Sequence, residues 1–270
     1  MKTSDSVSMT SSVPRQNPSS PGNEAGIRSG FFGLLDRLLR EREKFFDEIF
    51  EGRKLGVLLR WFLTATLVLS AFYGMTMGLM GFRHDAWLGV LQSVTSAVKV
   101  PFLFLLSVGV CFPVLYLVLV LMGARLSFSQ TLSLILMALT LNSALLASCA
   151  PIAFFFVLTG SDYHFIKLLH VAIFAFSGGW AMMALWQGLS SMCEKSNLYP
   201  RQAVKILQVW ILVFGFVGTQ MAWSLRPFVG SPDLSYQVFR QGQAGNFYGA
   251  VWSSLVSMGK NAAREVKKLD

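Results

Sequence analysis

The stretch "LVLMGARLSFSQTL", residues 119–132, separates two long apolar runs with a single charge, Arg125. Runs of about 20 apolar residues are what a helix needs to cross a bilayer, so this stretch reads as the hairpin between two crossings. The rest of the 270-residue chain agrees: 53% of it is hydrophobic and 14% charged, with a mean hydropathy of +0.53. Soluble domains carry about 25% charged residues. A 30 kDa soluble protein could not cover its surface with so few charges, which points to an integral membrane protein. The formal charge of +9 does not indicate nucleic acid, because the basic residues stand singly beside apolar runs and form no patch.

Five apolar runs fall at 55–81, 100–123, 132–158, 166–189 and 206–225. They predict an all-α, five-helix transmembrane bundle. An odd number of crossings puts the chain ends on opposite sides. Lys and Arg near span ends mark the cytoplasmic side. With the N-terminus inside, that side collects Arg53, Lys54, Arg60, Arg125, Lys195, Arg201 and Lys205, and the far side Arg83, Lys99, Lys167, Arg226 and Arg240. The bias favours an N-in/C-out topology, and Arg125 becomes a marker of orientation.

Four segments follow from this frame. Residues 1–28, rich in Ser, Pro, Asn and Gly, are expected to be a disordered cytoplasmic tail. Residues 29–54 form an amphipathic helix whose apolar face carries Leu35, Leu38, Leu39, Phe45, Phe46 and Ile49. Its other face alternates in sign, with Asp36–Arg40, Arg37–Glu41 and Lys44–Glu48 four residues apart. That helix either lies against membrane or bundle, or docks a partner protein. Residues 55–225 are the membrane domain, and 226–270 an extracytoplasmic interfacial tail. Within this plan 85–99 and 246–260 are expected to lie flat at the outer interface, because each presents an apolar stripe with Trp or Tyr.

Chemistry-bearing groups are sparse. Arg60, Lys167, His170 and Lys205 fall near span ends, where long side chains reach the interface. His164 and His170 are six apart and share no helical face. Cys111, Cys149 and Cys193 form no metal or disulfide pattern. Catalytic signatures are missing, so neither an enzyme nor a cofactor is expected. The neutral polar residues Asn142, Ser143, Ser177 and Gln220 remain, either as interhelical hydrogen-bonding groups or as the lining of a path. Ser70, Gly74 and Gly78 make a small-residue packing stripe, and Gly178–Gly179 and Gly215/Gly218 are expected to let backbones approach. Pro113 and Pro151 should kink the second and third spans.

Gly123 at the end of the second span, Ser127, Phe128 and Gln130 entering the third, and Pro151 within it give the chain a family likeness over about residues 45–225. In these positions it resembles the Yip (Rab-interacting) domain family of five-span membrane proteins, and its bacterial members most. The resemblance implies a non-catalytic membrane scaffold or adaptor that organises partner proteins or membrane. Its partners would be lipids, another membrane or cytoplasmic protein bound through 29–54, or further copies of itself. A bacterial cytoplasmic membrane is the favoured location, with a eukaryotic endomembrane as the alternative. The residues also allow a second function: a small transporter or channel subunit with a neutral polar path through the bundle.

Overall fold

The computed structural model describes residues 31–52, 54–83, 85–121, 127–160, 162–195, 200–229 and 246–269, all of whose regular elements are helices. The expected 1–28 tail and Arg125 lie outside them. The chain divides into two compact units, one ending at Arg40 and the other beginning at Glu41.

The first unit contributes α1 (Phe31–Arg40), with an exposed Asp36–Arg40 ion pair at 2.7 Å. The continuous 29–54 helix expected from the sequence is therefore corrected to two. Glu41, at φ −123° and ψ 44°, leaves the helical region, and α2 (Arg42–Phe50) starts after it. Lys44 reaches back to Glu41 at 3.1 Å. Exposed pairs of this kind contribute little, so the break reflects backbone geometry that the sign alternation does not prevent.

The second unit holds α2, α3 (Leu55–Gly78), a 3-10 turn (Leu79–Arg83), α4 (Ala86–Leu121), α5 (Phe128–Leu158), α6 (Tyr163–Lys195), α7 (Pro200–Ser224) and α8 (Phe247–Leu269). Among the described residues, four stretches are long and apolar enough to cross a membrane: Leu55–Phe82, Ala86–Leu121, Phe128–Leu158 and Tyr163–Ser191. The expected fifth run, 206–225, lies in α7, which is not among these four. Large apolar side chains including Phe72, Phe102, Val114, Phe155, Phe176 and Leu212 are exposed around the outside. A water-soluble monomer rarely carries an apolar surface this extensive, and a lipid environment accounts for it.

Helix packing follows a ring. α3 packs against α4 on one side and α5 on the other; α5 packs on α6, α6 on α7, and α7 closes back onto α4. α8 lies against α6 and α7. Thr140 on α5 ties the α3 contact, with its hydroxyl 3.0 Å from the Phe62 carbonyl and 3.1 Å from the Thr66 hydroxyl. The Trp210 indole N–H of α7 donates to the Cys111 carbonyl of α4 at 3.1 Å.

The α3–α4 contact overturns one expectation. Residues 85–99 do not form a separate interfacial helix; they are the first turns of the 36-residue α4, packed on α3. The reason is steric. A Cβ on Gly74 would meet the Ser96 carbonyl oxygen at 2.5 Å, and one on Gly78 would run into the backbone of Ser93. Gly89 answers from α4, where a Cβ would strike the Phe82 ring. Backbones at such range need glycine, and the small face of 89, 93 and 96 supplies the partner surface. The Trp87 and Val94 stripe that suggested an interface is the outward face of the same helix, and both side chains are exposed.

Ser127 and Gln130 form a capping box at the start of α5. The Gln130 N–H donates to the Ser127 hydroxyl at 3.3 Å, and the Ser127 N–H to Gln130 Oε1 at 2.8 Å. Satisfying two orphan donors fixes where the helix begins after the loop. The other end of the Gln130 amide donates to the Phe50 carbonyl at 2.7 Å and ties down the end of α2. Pro113 and Pro151 sit inside helices that continue on both sides, as does Pro101.

Two substitutions separate close packing from open helix surface. Gly78→Ala should destabilise the protein by about 1–3 kcal/mol, as overpacking does. Gly56→Ala, where an added Cβ meets nothing, should leave the melting temperature in detergent unchanged or raise it. Equal melting temperatures for the two variants would contradict the α3–α4 contact described here.

Candidate functional site

The ring of helices encloses a cavity of about 1080 Å³ between α4, α5, α6 and α7, with α8 contributing to its wall. Most of its lining is apolar: Leu103, Phe104, Ile135, Leu139, Phe174 and Phe214 are representative. Several polar side chains interrupt this surface.

His170 on α6 is buried, and its Nδ1 lies 2.8 Å from the Tyr73 hydroxyl of α3. The Tyr73 ring packs edge-on against both His170 and Phe174, with centroids 5.6 and 5.5 Å apart. That pairing occupies one of the two ring nitrogens and leaves Nε2. Nε2 is buried and has no hydrogen-bonding partner among the described residues. Asn142 on α5, 6% exposed, lines the same cavity, and its Oδ1 is likewise buried without a partner. A buried polar atom left unsatisfied costs about 1–3 kcal/mol. His170 and Asn142 each line the cavity and each carry one such atom. Either tautomer of His170 is useful: the ring accepts at Nε2 when Tyr73 accepts from Nδ1, and donates there when Tyr73 donates.

Lys167, one turn before His170 on α6, and Arg226, after α7, also line the cavity. The Arg226 guanidinium stacks 3.5 Å from the centre of the Trp223 ring, which fixes its position. Behind them α4 supplies a polar strip. Lys99 Nζ donates to the Pro227 carbonyl at 3.0 Å, Gln92 Nε2 to the Phe228 carbonyl at 3.0 Å, and the Ser96 hydroxyl to the same Phe228 oxygen at 2.5 Å. Three side chains thus clamp the carbonyls of Pro227 and Phe228, within the segment that follows α7.

The residues singled out in the sequence divide. Asn142 lines the cavity, while Ser143, Ser177 and Gln220 are not among its lining residues. Ser143 is fully buried with its hydroxyl unpartnered among the described residues. The Ser177 hydroxyl turns back to the Phe174 carbonyl of its own helix at 3.3 Å. The four therefore do not line one common path. Ser70, buried on α3, bonds the Thr66 carbonyl at 2.6 Å.

Gly178, Gly179, Gly215 and Gly218 require a correction. They do not mediate close backbone approach: a Cβ on the first three meets nothing within 4 Å, and on Gly218 only the Ser107 hydroxyl oxygen at 3.9 Å. All four line the cavity, where the missing side chains leave room. His170 and Lys99 also differ from expectation, since both are buried and turned onto other helices or their connections.

On α2, Phe45, Phe46 and Ile49 are buried within the second unit. Phe45 packs 5.8 Å from Phe62, and Phe46 fills the space over Gly188. Leu35, Leu38 and Leu39 belong to α1. Residues 247–269 form α8. Tyr248 of α8 stacks with Phe216 at 6.4 Å and places its hydroxyl 3.3 Å from that of Thr219 on α7.

The key partnerships were invisible in the sequence. Tyr73 and His170 are 97 residues apart, and Lys99 and Pro227 are 128 apart, with no motif joining either pair. Comparison with family models, curated proteins and solved structures finds no match for this chain.

Replacing Tyr73 by Phe would leave His170 Nδ1 without its partner. The expected cost is about 1–3 kcal/mol, read as a lower melting temperature. Separately, a Ser96→Ala/Lys99→Met double variant should speed hydrogen exchange across 225–229 by at least about tenfold, since one lost bond of ~1.4 kcal/mol already gives that factor. Unchanged exchange there would mean the clamp does not hold the segment.

Proposed function

We propose that this protein is a non-enzymatic, integral membrane carrier whose helix ring holds an amphipathic small molecule. The observation that carries the reading is an apolar cavity of about 1080 Å³ whose lining includes the polar residues Asn142, Lys167, His170 and Arg226. A cavity of this size lined by apolar groups, with a few convergent polar ones, is the usual form of a small-molecule site. An ionisable residue buried within a membrane bundle, as His170 is, is by default a candidate for function.

This reading takes α7 as the fifth crossing and keeps the N-terminus cytoplasmic, in the inner membrane of a bacterium. It ranks above the scaffold or adaptor role that the Yip resemblance implies. That role needs a free apolar face on residues 29–54, and Phe45, Phe46 and Ile49 are spent on intramolecular packing. Of the remaining face on α1, Leu38 is buried as well and Leu39 is exposed.

The test is Asn142→Leu in the full chain, purified in mild detergent, with retained small molecules released by denaturation and weighed by mass spectrometry. Wild-type protein should hold a hydrophobic species near one per chain, and the variant at least tenfold less. The variant should also melt higher, because Leu removes an unsatisfied polar atom from an apolar wall. A folded wild-type chain that retains nothing, with or without Asn142, would refute the proposal.

A further inference from the structure

The cavity lining runs along helical stripes, and at one end of the ring those stripes stop at aromatic rings. On α6 the lining passes through Gly178, Ala181 and Leu185, and on α5 through Asn142 and Ala138. Three or four residues further along the same two faces stand Gly188 and Leu134. Neither lines the cavity. Phe46 of α2 lies across both: a Cβ on Gly188 would meet the Phe46 ring at 2.5 Å and Leu134 Cδ1 at 2.8 Å. On the facing walls the same end is closed by Trp210 of α7, next to the lining residue Ile211. Its indole N–H donates to the carbonyl of Cys111, one turn beyond Ser107 on α4.

The two rings are carried differently. Trp210 belongs to the 25-residue α7 and is fixed by its hydrogen bond to α4. Phe46 rides on α2, only nine residues long, whose backbone leaves the helix on both sides. Glu41 does so at φ −123°, and Gly52 and Lys54 at φ 73° and 50°. A left-handed lysine is uncommon, so α2 meets α3 through a turn and not as continuous helix. Phe45, Phe46 and Ile49 are buried against the bundle, while Glu43, Lys44 and Asp47 on the other face are exposed. The Gln130 side chain ties the end of α2 by its bond to the Phe50 carbonyl at 2.7 Å.

We infer that α2 is a gate on the cavity and that Phe46 is its plug. With α2 seated, the ring of Phe46 shuts the end of the cavity that runs toward Gly188. When α2 swings about Gly52 and Lys54, Phe46 leaves the stripe and the lining from Leu185 to Asn142 meets water on that side. Gly188 is the seat, because a side chain there would occupy the place of the ring. In the orientation taken above, that side is the cytoplasm. The gate concerns access to the cavity, so it goes beyond the carrier reading and holds or fails independently of what the cavity retains.

The test uses the full chain in inverted membrane vesicles, with Cys111, Cys149 and Cys193 replaced by alanine and one new cysteine at a time. Met182→Cys reports from the cavity wall, and Ile166→Cys from a fully buried position that does not line it. A charged, membrane-impermeant maleimide is added outside the vesicles. Met182→Cys should react slowly, and at least about tenfold faster once Phe46→Ala removes the ring, because access follows the free energy of local opening. Gln130→Met, which keeps the volume and loses the bond to Phe50, should speed it as well. Ile166→Cys should react no faster in either variant. Equal reactivity of Met182→Cys with and without the Phe46 ring would overturn the inference. So would a parallel rise at Ile166→Cys, which marks a bundle loosened throughout and not a gate opened at one end. Should Phe46→Ala fail to fold, the same two comparisons with Gln130→Met decide the matter.

Discussion

The close contact of α3 with α4 governs the rest of the architecture. Gly74 and Gly78 let the backbone of Ser93–Ser96 come within a distance that no other residue permits. Once α4 is held there, its polar face cannot lie along a membrane surface. Gln92, Ser96 and Lys99 must find partners inside, and they find them in the carbonyls of Pro227 and Phe228. That clamp returns the end of α7 to α4, which closes the helix ring. The cavity is the space left at the centre of the closed ring.

What a chain can reveal before folding depends on the range of the interaction. The hairpin at 119–132 and the apolar runs are local periodicities, and four helices long and apolar enough to span follow from them. "SFSQ" was legible as an entry to the third apolar run, and its physics is a capping box, also local. The stripe Ser70–Gly74–Gly78 could be read as small, but its partner could not, because tryptophan and valine on the far side of 85–99 give the same pattern as an interfacial helix. Gly178 and Gly215 illustrate the reverse error. Glycine in an apolar helix can mean contact or emptiness, and only the neighbouring helices decide which.

The same limit applies to the site. Asn142 stood out as a lone amide in an apolar run, and it lines the cavity. His170 was harder to read, since its distance from the helix start suits an interfacial side chain. Tyr73 turns it inward, and that pairing spans two helices far apart in sequence. Composition and spacing thus located the polar groups but not their relations. A hydrogen-bonded pair and a vacant acceptor differ only in what stands opposite.

The central claim is that the ring holds a ligand and is not merely loosely packed. A density map of the purified full chain in nanodiscs, at a resolution where side chains are visible, tests it most directly. The account predicts elongated density between α6 and α7 that belongs to no side chain and lies against the cavity wall. A ring collapsed on itself, with Asn142 bonded to a neighbouring helix and the space beside Gly178 and Gly215 closed, would contradict it.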